Sequence, residues 1–294
     1  MNDKPQLFKK FIPLGVSNPN LELIAVSPDI PDPTGIVRER AGFVSYNDEF
    51  ATLSTLDGVL FMFKVKKKVL PASVLKKETL SWLKQHARVN GYTSITQIPK
   101  KVVKEIKYDC EFALLETALV DERLIRVFIT TNKNTNNFML VEDTQPKTAE
   151  FISTLLRLFN INTTLFPDWA KEFLPQVYHY KDNNVEPFGA CKLVDKVDGK
   201  MSVTFKEFEL SEPFFEKWDA DGFELDKVTV SITEGTRELV VCTIDNKGAF
   251  SAIEYGDVVI ESRDHIAIQQ EQMAIMNDVI GSVLSVVGHG VVNL

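Results

Sequence analysis

Apolar positions in this chain recur at two spacings, one near two residues and one near 3.6, and these separate strands from helices. Residues 21–26 form a short apolar run with strand character, followed by Pro-Asp and Asp-Pro turn signals. Residues 50–56 and 59–65 flank Asp57-Gly58, a pair suited to the positive φ angles of a tight hairpin. Residues 72–89 read as a helix behind Pro71, with Val74, Leu75, Leu80, Leu83 and Ala87 as apolar positions, and Asn90-Gly91 breaks it. A second helix starts near Pro99, where proline suits the first turn, and runs through Val102, Val103 and Ile106 toward Phe112 and Leu115.

Strands are predicted over 124–130 and 138–141, separated by the polar loop 132–137. Residues 147–159 then make an amphipathic helix with Phe151, Ile152, Leu155, Leu156 and Phe159 on one face. Further on, 228–232, 238–244 and 249–255 are short runs bounded by Glu234-Gly235 and Asn246-Lys247-Gly248, the pattern of a meander. A helix over roughly 264–287 closes the chain, with Ile268, Met273, Met276, Ile280, Val283, Leu284 and Val287 at near-helical spacing. Pro167, Pro175 and Pro187 punctuate the stretch between. The chain thus reads as an α+β half, residues 1–175, with a basic helical arm at about 66–112, and a β-meander with closing helix, residues 176–294. Antiparallel sheets with amphipathic helices are the expected class. The closing helix, with its Met and Val face, is a candidate dimer surface or packs within its own subunit.

Composition narrows the class. Of 294 residues 44% are apolar and twenty are Phe, enough for a buried core and against disorder. The first residues lack a signal-peptide layout, and the apolar stretch 279–294 is broken by Gly281, Ser282, Ser285, Gly288, His289 and Gly290. A membrane segment is therefore not expected, and the expected location is the cytoplasm. Cys110, Cys191 and Cys242 lie far apart, with no spacing for a zinc site or a disulfide framework.

Charge changes the picture most. The net charge of −8 and pI near 5.2 disfavour a nucleic-acid partner if taken as averages. Between Lys64 and Lys107, however, twelve cations face only Glu78 and Glu105, a local +10 that leaves −18 for the remainder. One cationic surface on an acidic body is the footprint of a polyanion-binding molecule. Lys77, Lys84 and Arg88 fall in a narrow stripe of the first predicted helix. Lys101, Lys104 and Lys107 are three apart on the second, with Lys100 four before Lys104. Like charges at such spacings cost an isolated helix roughly 0.2–0.5 kcal/mol per pair, which bound phosphates would relieve. The candidate DNA contacts are Lys66, Lys67, Lys68, Lys76, Lys77, Lys84, Arg88, Lys100, Lys101, Lys104 and Lys107, each acting as a charge rather than as a base reader. Solvated faces of amphipathic helices, or a face for acidic protein, lipid or RNA, are the competing readings.

Catalytic signatures are absent: no P-loop, no G-x-G-x-x-G and no nucleophile elbow. His86, His179, His265 and His289 are isolated. Asp219-Ala220-Asp221-Gly222 falls short of a calcium loop, its glycine two positions early and the terminal Glu missing, and reads as a turn. Asp168 with Asp198-Gly199-Lys200 has the outline of a metal-dependent nuclease, the enzymatic alternative to simple binding. Phe112, Phe128, Phe138 and Phe151 sit in periodic apolar contexts and read as core rather than as base-stacking residues. The expectation is a protein that is no enzyme and has no cofactor and no metal.

Val69-Leu70-Pro71-Ala72-Ser73-Val74-Leu75-Lys76 resembles the segment of the RdgC family in which a basic strand end leads through Leu-Pro into a helix. Leu140-Val141-Glu142-Asp143 leading into Lys147-Thr148-Ala149-Glu150 and Leu155-Leu156-Arg157 is similar to that family's next strand and helix. Leu7-Phe8-Lys9-Lys10-Phe11, Lys227-Val228-Thr229-Val230 and Val240-Val241-Cys242 extend the resemblance over nearly the whole length. Gly42-Phe43-Val44-Ser45 departs from the family's proline-rich counterpart, and the stretch 91–99 carries no charge where relatives are often lysine-rich. The resemblance implies a nucleoid-associated homodimer closed as a ring around double-stranded DNA, with single-stranded DNA an open alternative. It also implies little sequence preference and antagonism of RecA in recombination.

Overall fold

A computed structural model describes residues 8–17, 19–55, 58–130, 137–165, 169–177, 184–207, 210–256 and 265–286. In chain order the elements begin with β1 (Lys10–Ser17), β2 (Glu39–Val44), β3 (Leu53–Ser54), β4 (Gly58–Val69), α1 (Ala72–Val89), α2 (Lys100–Glu116), β5 (Leu119–Thr130), β6 (Phe138–Val141) and α3 (Pro146–Arg157). They continue with β7 (Asn162–Leu165), α4 (Trp169–Gln176), β8 (Val185–Asp195), β9 (Ser202–Lys206), α5 (Glu212–Ala220), β10 (Phe223–Glu234), β11 (Arg237–Asp245), β12 (Phe250–Tyr255) and α6 (His265–Val286). The fold is α+β, with six helices and a large antiparallel sheet among the described residues. Two compact units emerge: one of residues 1–25, 52–61 and 125–294, the other of residues 26–51 and 62–124. This division differs from a break near residue 175, because the second unit is made of two stretches inserted into the first.

The first unit is built on its sheet, ordered β5-β6-β1-β12-β11-β10-β8-β9, with β7 also on β1. β1 lies inside it, pairing Ile12 with Val141 of β6, Leu14 with Leu165 of β7 and Phe11 with Phe250 of β12. Residues 11–16 are all buried, so both faces of this strand are covered. Such a strand shows a continuous apolar run rather than alternation, which is why its period gives no signal. Phe11 stacks on Phe250 at 4.5 Å between centroids, Trp169 of α4 lies 5.7 Å from the same ring, and Phe173 follows Trp169. Helix α6 packs on α4, β8 and β11. Its Met273, Met276, Val279, Ile280 and Val283 are buried inside this unit, so the apolar face considered for a dimer is already covered by its own chain.

In the second unit β2 pairs with β4 from Glu39–Lys67 to Val44–Met62. The chain then leaves the sheet at Leu70-Pro71 and forms α1 and α2, which pack on each other. Proline stands directly before each helix, and Gly91, at φ +73°, follows the end of α1. Between them a 3-10 turn, Ile95–Gln97, is capped by the Ser94 hydroxyl, which accepts from the Thr96 N–H.

Two local expectations fail. Residues 21–26 form no strand: Leu21–Leu23 is a single 3-10 turn with no buried residue, and only Ile24 beyond it reaches the core. Of the four phenylalanines expected inside, Phe128 and Phe138 are buried, whereas Phe112 and Phe151 are 41% and 39% exposed. The Asp57-Gly58 turn is met only in part. Gly58 opens β4, which pairs with the two-residue β3, and Asp57 lies outside the described residues.

The β11–β12 turn supplies a stability test. Gly248 has φ +77°, and a Cβ built there would stand 2.7 Å from Trp169 Nε1. Gly248→Ala is expected to cost about 1–3 kcal/mol through strain and overpacking, read by urea denaturation with tryptophan emission as the signal.

Candidate nucleic-acid interface

Strand alternation sorts the first lysines of the basic segment. Lys64, Lys66 and Lys68 are two apart on β4 and share one face, while Lys67 points to the other. Lys66 is 5% exposed, and its ammonium lies 3.1 Å from Asp29, 3.0 Å from Asp32 and 3.2 Å from Glu122. Lys64 adds a hydrogen bond to Asp29 at 2.7 Å and an ion pair with Glu122 at 3.7 Å. Lys68, 7% exposed, donates to the carbonyls of Gly35 and Leu115, both at 2.7 Å. These side chains fasten the proline-rich segment around residues 28–33, the end of α2 and the start of β5 to β4. Lys66 and Lys68 therefore do not present their charges to a ligand, a correction to the sequence reading that follows from the two-residue period.

The same cluster sets local protonation. Hydrogen bonds from Lys64 and then Lys66 hold the Asp29 carboxyl well below the usual carboxylate range. Asp32, and next Asp29, raise the Lys66 ammonium above the ordinary lysine value. A carboxylate depressed in the folded state contributes stability that is complete above its unfolded pKa, near 4, and is lost as pH falls through the folded value.

The other nine candidates are exposed: Lys67, Lys76, Lys77, Lys84, Arg88, Lys100, Lys101, Lys104 and Lys107. Among the described residues none of them makes an ion pair within 4.0 Å. On α1, Lys77, Lys84 and Arg88 span about 40° of the helix, and on α2, Lys100, Lys101, Lys104 and Lys107 span about 120°. The inner positions Leu83, Ala87, Val103, Ile106 and Cys110 are half-buried or buried, which turns these cations outward. Arg38 closes on Glu111 of α2 at 2.9 Å, neutralising the acid nearest the lysine row. The arrangement is a two-helix arm with charges held at fixed spacing.

The other chemistry weighed in the sequence sits elsewhere. Asp198 receives the Lys200 backbone N–H and its ammonium, both at 2.9 Å, which lower its pKa, while Asp168 lies outside the described residues. Asp219 pairs with Lys196 at 2.7 Å at the end of α5, and Gly222, at φ +86°, completes a turn there. His86 stacks beside Tyr92; His179, His289 and the side chain of His265 lie outside the described residues. Among the described residues no three His, Cys, Asp or Glu side chains gather as a metal site, and no helix is long and apolar enough to cross a membrane. All three cysteines are buried, and burial pushes the Cys191 thiol up to about 11 and Cys242 to about 12.

Two substitutions separate anchoring from presentation. Lys68→Met removes a charged donor from two carbonyls and is expected to cost about 2–3 kcal/mol in chemical denaturation. Lys104→Ala, on the exposed face, is expected to leave stability within about 0.5 kcal/mol in the same measurement. Separately, Asp29→Asn should flatten the fall in melting temperature seen as pH is lowered from about 5 to 2, because the titrating carboxylate is gone.

Residues 35–172, a stretch that contains the whole two-helix arm, match the family model described as "RdgC: Putative exonuclease, RdgC". No curated protein matches the chain.

Proposed function

The chain is assigned to the RdgC family, and on that premise we propose that it is a non-enzymatic DNA-binding protein that grips phosphates, without reading sequence, through the exposed cations of α1 and α2. The observation that carries this reading is a contrast within one unit. Lys64, Lys66 and Lys68 are matched by carboxylates or carbonyls, whereas nine neighbouring cations meet no acidic partner among the described residues. Charges left in this way on a two-helix arm suit phosphate neutralisation with counterion release. The finer reading comes from the family resemblance: a homodimer that closes around duplex DNA in the nucleoid and limits access of RecA during recombination.

The family description names an exonuclease, which keeps a metal-dependent nuclease as the second reading. On that reading Mg²⁺-dependent degradation of DNA would be lost with Asp198→Ala.

The deciding experiment is binding of a labelled random-sequence duplex across a salt series. Affinity is expected to fall steeply as salt rises. Lys101→Ala, Lys104→Ala and Lys107→Ala combined should reduce the slope of log K against log salt by up to about 2.7, or roughly 0.9 for each phosphate contact. Absence of binding at low salt would overturn the reading.

A further inference from the structure

We propose that α2 carries a base-stacking site for unpaired nucleic acid, with Tyr108 as its platform, Phe112 beside it, and Lys101 and Lys104 holding the adjoining phosphates. This rests on the DNA-binding reading above and adds to it a preference between strand forms. Tyr108 is 66% exposed and Phe112 41% exposed. The inner side of α2 is filled by Val103, Ile106, Cys110 and Leu114, which stand well round the helix from Tyr108 and Phe112.

Helical geometry places these rings among the charges. Taking Lys104 as the origin and about 100° per residue, Lys100 stands near −40°, Lys101 near +60°, Tyr108 near +40° and Phe112 near +80°. The aromatic rings thus continue the lysine row, one and two turns further along and about 6 Å apart in axial rise. Glu111 falls in the same sector, but Arg38 neutralises it at 2.9 Å. Asp109 lies well round the helix, and Glu105 flanks the row four residues after Lys101. On α1 the pattern differs, since Trp82 sits about 140° from the stripe of Lys77, Lys84 and Arg88 and does not join it.

In a duplex the base faces are covered by their neighbours, and the arm can reach only phosphates. An unpaired strand offers the same phosphates and also π-faces, which stack on exposed aromatic side chains whatever their sequence. Lysines alone do not distinguish the two forms; a ring in line with them does. The cationic row selects a polyanion rather than a basic or apolar surface, and the ring in line with it favours a polyanion that exposes π-faces.

The test compares a fluorescein-labelled oligothymidylate with a labelled random duplex, using the full chain, Tyr108→Ala and Tyr108→Phe, with circular dichroism as a folding control. Tyr108→Ala is expected to weaken oligothymidylate binding about tenfold and leave duplex binding and the salt slope unchanged, while Tyr108→Phe keeps wild-type affinity. Equal loss on both probes, or no loss on oligothymidylate, overturns the stacking site while leaving the phosphate reading intact. A change in sedimentation coefficient with Tyr108→Ala would reassign the ring to contact between copies of the chain and overturn the proposal. Failure of the unaltered chain to bind either probe overturns both readings together.

Discussion

An ammonium group almost closed to solvent must be neutralised where it lies, and in this protein that requirement falls on Lys66. Its three carboxylate partners come from separate stretches: Asp29 and Asp32 from a loop rich in proline, and Glu122 from β5. Removing a charge from water is costly unless paired and hydrogen-bonded geometry offsets it, so the cluster tolerates few alternative arrangements. Lys68 extends the same logic by tying β4 to the carbonyl of Leu115 near the end of α2. The root of the helical arm is therefore specified by polar contacts as much as by apolar burial.

That matters because the arm has little core of its own. Within α1 and α2 only Ala87, Cys110 and Leu115 are fully buried, and several large apolar side chains remain exposed. Few apolar contacts and a high density of like charge both lower the free energy of local opening. A helix pair of this kind holds its shape because its ends are fastened: by Lys68 and Arg38 at the root, and by the capped turn at Ser94 between the helices. Bound phosphates would act in the same direction by lowering the repulsion along each lysine row. Binding and ordering of the arm are in this sense one problem in electrostatics.

The sequence made some of this legible and concealed the rest for identifiable reasons. α1 and α2 were readable because proline precedes each, Asn90-Gly91 ends the first, and their apolar positions keep a helical period. The strands β10, β11 and β12 were readable because glycine-containing turns bound them. β1 was not, because a strand buried on both faces shows no alternation and contains Pro13 and Gly15. The two-unit division was hidden as well, since the chain enters the second unit twice, at residues 26 and 62, and returns to the first in between. In the arm, counting charges found the cationic surface but not which lysines form it. Lys64, Lys66 and Lys68 carried the signal in their two-residue spacing, which a helix-minded reading passes over. Phe112 shows the converse error: a helical period marks apolar positions on both sides of α2, and only packing shows which side is covered.

The acidic total charge and the cationic arm are compatible once the range of the forces is considered. At physiological ionic strength the Debye length is about 8 Å, so charges farther away than that scarcely alter the potential at an exposed lysine. What a phosphate meets at the surface of α1 or α2 is the local excess of cations, not the −8 of the whole chain. The surplus of carboxylates outside the basic segment then has a separate consequence. On the DNA-binding proposal it would disfavour contact of a polyanion with the acidic remainder of the chain. An average charge is thus a poor guide to partners wherever the two signs are segregated along the chain, as they are here between residues 64 and 107 and the remainder.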